Sequence, residues 1–202
     1  IPNKDEVNKK IQRIARQKYI ICLGRFTKYK NIPLLIESFK KVLDKYKDLK
    51  LYLVGSGKEN QNIIENLKFN NLLSSVKILN SINDIEKKYL LHNALITVLP
   101  STNPLESFGI VQIESMAMGT PVICFDIPNS GVGSLNINMS TGLVIKQSNN
   151  NCKNLRLAIL KLLENQVLLK KMGKNSMKRS KDFLINNHIF SFDQYFKKAV
   201  YN

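Results

Sequence analysis

The 202 residues carry 31 Lys and Arg against 15 Asp and Glu, a formal net charge of +16 at pH 7. At 44% hydrophobic and 23% charged the composition is globular rather than disordered, and the length suits one large domain or two small ones with a real core. No apolar run approaches the roughly 20 residues of a membrane-spanning helix. Ile1-Pro2-Asn3-Lys4 lacks both the layout of a signal peptide and an initiator Met, which points to a fragment or a processed chain.

Taken in chain order, residues 19–24 form a short, wholly apolar run ending in Gly24, the pattern of a strand buried on both faces. Apolar residues then recur at helical spacing over 32–46. A second strand is expected over 50–54, a helix over 60–69 and a third strand over 76–79. Asp84 is placed to cap a helix reaching about residue 93. A fourth strand, 95–99, stops at Pro100. A helix opening at Phe108 and reaching Met118, a fifth strand over 121–125 and a sixth over 142–145 follow. Helical patterns then cover 154–164, the basic segment 170–181 and the C-terminus. This alternation predicts one α/β domain with a Rossmann-like parallel sheet of about six strands flanked by helices, spanning 19–181. The polar residues 1–18 read as a lead-in.

A charge of +16 can mark a nucleic-acid or anionic-membrane surface. Only five basic residues are Arg (Arg13, Arg16, Arg25, Arg156 and Arg179). Arg is the residue that grips phosphates and bases through a bidentate fork, so nucleic acid is a disfavoured partner. Abundant Lys, Asn and Ile are the composition of an AT-rich genome. The run Lys170-Lys171, Lys174, Lys178-Arg179, Lys181 stays open as a membrane-facing surface or as a solvated helix face. Three cysteines with no Cys-x-x-Cys spacing, Cys22 and Cys124 in strands and Cys152 in a polar loop, read as reduced thiols of a cytosolic protein with neither disulfide nor zinc site.

Ligands of open parallel sheets bind at the carboxyl ends of the strands. Gly24-Arg25 and Gly55-Ser56-Gly57 stand at two of these ends, and Pro100 to Phe108 follows the fourth strand. Asn60 stands where a dinucleotide fingerprint needs its third Gly, and no Gly-Lys-Ser/Thr occurs, which argues against nicotinamide enzymes and P-loop NTPases. Backbone N–H groups at the start of the helix after Glu106 suit a phosphate or a sugar hydroxyl. Glu106 and Glu114 suit hydroxyl-rich groups, and Arg25 with Lys30 suits a diphosphate.

The stretch Glu106-Ser107-Phe108-Gly109-Ile110-Val111-Gln112-Ile113-Glu114-Ser115-Met116-Ala117-Met118-Gly119-Thr120-Pro121-Val122-Ile123 resembles the signature of glycosyltransferase family 4, the group 1 glycosyltransferases, retaining enzymes of the GT-B fold whose hallmark is Glu, seven residues, Glu. Gly24-Arg25 with Lys30, Val54-Gly55-Ser56-Gly57, Ala94 through Pro100-Ser101 and Thr141-Gly142-Leu143-Val144 resemble further landmarks of the family, and the likeness covers about residues 19–165. Leu95, Asn31 and Asn80 depart from the family's usual Asp, Gly and Gly. Pro128 to Asn136 replaces its Gly-Gly-x-Pro-Glu with a Ser-Gly-Val-x-x-x-Asn variant.

The resemblance implies the donor-binding half of a two-lobed hexosyltransferase that builds polysaccharide or lipopolysaccharide from a UDP- or GDP-linked sugar. Arg25 and Lys30 would hold the diphosphate, beside Gly24 and Gly55. Glu106 would meet the transferred sugar, the amides of Phe108, Gly109 and Ile110 sugar and phosphate, Glu114 the ribose, and the segment at Lys77 and Ile78 the base. Arg25, Lys30 and Glu106 would be the catalytic residues here, with no metal or other cofactor.

A missing N-terminal half would supply the lipid-linked or saccharide acceptor site and a catalytic His, a role that neither His92 nor His188 fits, so the fragment alone would be inactive. Residues 182–202, with a helix through Phe192 to Tyr201, would pack back on that half. The protein would be cytoplasmic, with docking on the inner face of the membrane through its basic segment. A basic module for membrane or nucleic acid, and a glucan synthase or phosphorylase relative, are the alternatives.

Overall fold

The computed structural model describes residues 2–183. The helix expected through Phe192 to Tyr201, and His188, lie outside the described residues. The chain runs α1 (Lys9–Ala15), β1 (Tyr19–Leu23), α2 (Ile32–Leu43), β2 (Lys50–Val54), α3 (Asn60–Phe69), β3 (Val76–Leu79), α4 (Asp84–Asn93), β4 (Ile96–Leu99), α5 (Val111–Ala117), β5 (Val122–Asp126), α6 (Val132–Leu135), β6 (Gly142–Lys146), α7 (Asn151–Glu164) and α8 (Gln166–Ser180). The six strands form one sheet in the order β3-β2-β1-β4-β5-β6, every neighbouring pair parallel. This is the expected Rossmann-like α/β architecture. The order reverses between β1 and β4, and a doubly wound sheet opens its ligand crevice at such a point.

Because successive side chains of a strand point to opposite faces, the apolar strands feed two cores. Ile20, Cys22, Leu51 and Leu53 pack with Leu35, Ile36 and Phe39 of α2, Ile63 and Leu67 of α3 and Ile159 and Leu162 of α7. Tyr19, Ile21, Leu23, Tyr52 and Val54 pack with Leu90 and Leu91 of α4 and with Val7, Ile11 and Ile14. The polar lead-in therefore carries a helix that closes one face of the sheet. Ile11 and Ile14 stand three apart on that helix and Val7 precedes it in extended backbone, an apolar pattern obscured by the charges between them.

Several local expectations change. Asn83, not Asp84, caps α4: its side chain accepts from the Glu86 amide at 2.8 Å while the Glu86 carboxylate accepts from the Asn83 amide at 3.1 Å. The helix expected from Phe108 begins at Val111. Cys152 lies in the first turn of α7 rather than in a loop. The short α6 had no signal in a four-residue run.

Two predictions follow from this packing. Ile11→Ala should lower stability in urea by about 2–4 kcal/mol, the usual cost of truncating a buried Ile; a detachable tail would show no change. Burial pushes the Cys22 and Cys124 thiols up to about 12, against roughly 8.5 in an unfolded chain. Their contribution to stability is complete below the unfolded value and is lost as pH rises toward the folded one. Alkaline titration of stability should therefore fall above about pH 9, and a thiol reagent at pH 8 should modify only Cys152 in the native protein.

Candidate functional site

Gly24, Arg25, Lys30, Glu106 and Phe108 to Ile110, singled out by sequence, lie at the carboxyl edge of the sheet, in the loops that follow β1 and β4. The Lys30 Nζ lies 2.6 Å from Glu106 Oε2, with the two side chains 12% and 8% exposed. Ser101 Oγ donates to the same carboxylate oxygen at 2.8 Å. The pair joins the loop after β1 to the loop after β4, and Asn31 Nδ2 adds a second tie, donating to Thr102 Oγ1 at 3.1 Å. Asn31 has φ 51°, a left-handed conformation that Asn tolerates better than other residues bearing a β-carbon. It therefore fills its position without Gly.

A third loop props the second. Gly131 N donates to Ser107 O at 2.8 Å, and Ser130 Oγ donates to Glu106 O. The Asn of the variant motif, Asn136, is buried; its Nδ2 donates to Val122 O at 2.8 Å and its Oδ1 accepts from Thr141 Oγ1 at 2.7 Å, tying β5 to the approach to β6. Its place is in the scaffold.

Two glycines permit the crevice. A β-carbon on Gly55, which has φ 139°, would fall 2.0 Å from the Gly24 carbonyl oxygen, so the loops after β1 and β2 meet backbone to backbone. Gly109, at φ 69°, lets its loop press on Leu99, since a β-carbon there would stand 2.9 Å from Leu99 Cδ2. The chain from Phe108 to Ile110 is thereby held outside the helix. The amides of these three residues donate no hydrogen bond among the described residues, while the Phe108 and Ile110 side chains are exposed. Arg25 is exposed and makes no ion pair among the described residues.

Glu114, in the first turn of α5, pairs with Lys87 of α4: Nζ to Oε1 is 2.8 Å, and the same Nζ lies 3.1 Å from Asp84 Oδ1. The hydrogen bond to Glu114 raises the Lys87 amine above its usual value. Past β3, Ile78, Asn80 and Ile82 line a cavity of about 490 Å³ with Asn8 and Ile11. Lys77 does not join them; its Nζ donates to the Leu73 carbonyl at 2.6 Å, in solvent. Among the described residues no group of three or more His, Cys, Asp or Glu could hold a metal ion, and no helix is long and apolar enough to cross a membrane.

The model of the family described as glycosyl transferases group 1 matches residues 3–179. The chain belongs to that family. An uncharacterized glycosyltransferase of Methanocaldococcus jannaschii is 32% identical over 163 residues, which is 81% of this chain and 43% of that relative. The chain thus spans less than half the relative's length. Among solved structures, sucrose-phosphate synthase of Thermosynechococcus elongatus superposes with a TM-score of 0.75 at 27% identity, covering 92% of this chain and 46% of that one. The pneumococcal O-GlcNAc transferase GtfA, solved with UDP and GlcNAc, superposes at 0.77 with 17% identity, covering 93% of this chain and 37% of that one.

In this group 1 glycosyl transferase domain, sequence reasoning missed Ser101, Thr102, Ser130 and Lys87. The Pro100-Ser101 landmark was the only signal for the first. Ser130 stands in the Ser-Gly-Val variant with no role attached, and Thr102 and Lys87 become visible only when distant loops or helices meet.

The nearly dry Lys30–Glu106 pair has a stability consequence. Lys30→Ala should cost about 3 kcal/mol or more in urea unfolding, because it leaves a buried carboxylate without its cation. Adding Glu106→Gln should return part of that loss.

Proposed function

We propose that this domain binds a nucleoside-diphosphate sugar as the donor half of a retaining hexosyltransferase, and that the acceptor site and the rest of the catalytic machinery belong to the portion of its relatives that this chain does not cover. The observation that carries the reading is the convergence, at the sheet's switch point, of the Lys30–Glu106 pair, Arg25 and the amides of Phe108, Gly109 and Ile110, the last four without an ion-pair or hydrogen-bond partner for these groups among the described residues. Cations and amide donors together suit a diphosphate, and a carboxylate beside them suits sugar hydroxyls. The complex of GtfA with UDP and GlcNAc supports the choice of ligand class.

On this reading Arg25 and Lys30 offset the charge that grows on the departing diphosphate, in a crevice whose donors are already in place. Lys30 then divides its hydrogens between phosphate and Glu106 Oε2, and Glu106 Oε1, which neither Lys30 nor Ser101 takes, turns to the sugar. Glu114 receives the ribose hydroxyls, and the Ile78 cavity receives the base. These cations do the work without a metal ion. The exposed Lys170, Lys171, Lys174 and Lys178 of α8 would face an anionic membrane bearing a lipid-linked acceptor in polysaccharide or lipopolysaccharide assembly.

Titration calorimetry with UDP and GDP tests the reading. One of the two should bind, and Arg25→Ala and Glu114→Ala should each weaken it by about tenfold or more, the worth of one hydrogen bond to a charged group. Unchanged affinity in both variants refutes the site.

A further inference from the structure

The Lys87–Glu114 contact joins two helices that both start at the carboxyl edge of the sheet, and nothing in the fold requires it. The first turn of α4 is already secured by the Asn83–Glu86 capping box. α4 and α5 already meet through the apolar groups around Leu90, Leu91, Val111 and Met118. An ion pair with side chains 25% and 33% exposed adds little to stability. What the contact does is orient a carboxylate. Lys87 takes Glu114 Oε1 at 2.8 Å, and Oε2 accepts no hydrogen bond among the described residues. Asp84, 3.1 Å from the same Nζ, steadies the lysine from its other side.

We propose that Lys87 is a positioning residue that fixes Glu114 by one oxygen, so that the other is presented, already ordered, to the ribose of a bound nucleotide. The inference rests on the reading of this crevice as a nucleotide-sugar site. Two physical effects support it. A glutamate free to rotate loses side-chain entropy when a ligand orders it, and Lys87 has removed that loss in advance. The cation, shared with Asp84, also offsets part of the charge of Glu114, which lessens the repulsion a diphosphate meets from the second carboxylate of the crevice. Lys30 does the same for the first. Because Glu114 raises its pKa, Lys87 is a full cation throughout the neutral range.

The test compares UDP with 2′-deoxy-UDP, and GDP with 2′-deoxy-GDP, by titration calorimetry. The unaltered protein should prefer the ribonucleotide by about tenfold, the worth of one hydrogen bond to a charged acceptor. Lys87→Met keeps the apolar stem and removes the donor, and the preference should shrink to within about twofold. Lys87→Arg should retain most of it. Lys87→Gln, which keeps a neutral donor, should fall between, and it serves as the readout if the Met variant loses its far-ultraviolet circular dichroism. In a Glu114→Gln background Lys87→Met should add no further loss of preference. A Lys87→Met protein that discriminates as well as the parent overturns the role of Lys87 and leaves the nucleotide site standing. A parent that binds neither UDP nor GDP overturns the site itself and the inference with it.

Discussion

The site is organised by one nearly dry ion pair. Lys30 enters from the loop after β1 and Glu106 from the loop after β4, the two strands between which the sheet reverses its order. Loops at such a point diverge unless something closes them. Here a 2.6 Å contact does so, reinforced by Ser101 on the carboxylate and by the Asn31–Thr102 bond. Burying the pair is costly, and the direct contact together with the Ser101 hydrogen bond to the carboxylate offsets part of that cost. The Gly131–Ser107 and Ser130–Glu106 contacts then pass the constraint to the loop after β5.

A second carboxylate–lysine pair flanks the first at a different depth. Lys87 is about twice as exposed as Lys30, and Glu114 about four times as exposed as Glu106. A wetter pair exchanges partners at lower cost than a dry one. The buried pair suits holding the crevice in shape, and the exposed pair suits answering to a ligand. Net charge conveys none of this: most of the +16 is spread over exposed lysines, while in the crevice Lys30 faces Glu106 and Lys87 is shared by Glu114 and Asp84.

How far the sequence was legible follows from the range of the forces involved. β1, β2 and β5 carry four or five consecutive apolar residues, and runs of that length are what a strand buried on both faces requires. The stretch from Glu106 to Ile123 is legible because the loop, the helix start and the next strand lie in one unbroken segment. Lys87 was illegible because an isolated lysine on a helix reads as solvated, and its partner lies 27 residues away. Lys77 shows a limit of the opposite kind: a position on a strand says nothing about which carbonyl its amine reaches, here that of Leu73. The helix within residues 1–18 was hidden because six of those residues are Lys or Arg, and charge outweighed three apolar side chains.

Those side chains bear on where the domain begins as a physical object. Val7, Ile11 and Ile14 cover the same core as Tyr19, Ile21, Tyr52 and Val54. Cutting the chain at the first strand, where the composition turns from polar to apolar, would leave a row of aromatic and branched side chains facing water on the central strands. Such a surface adheres to its own copies. The boundary set by composition and the boundary set by solubility therefore differ by more than a helix's length, and the second is the one an expression vector must respect.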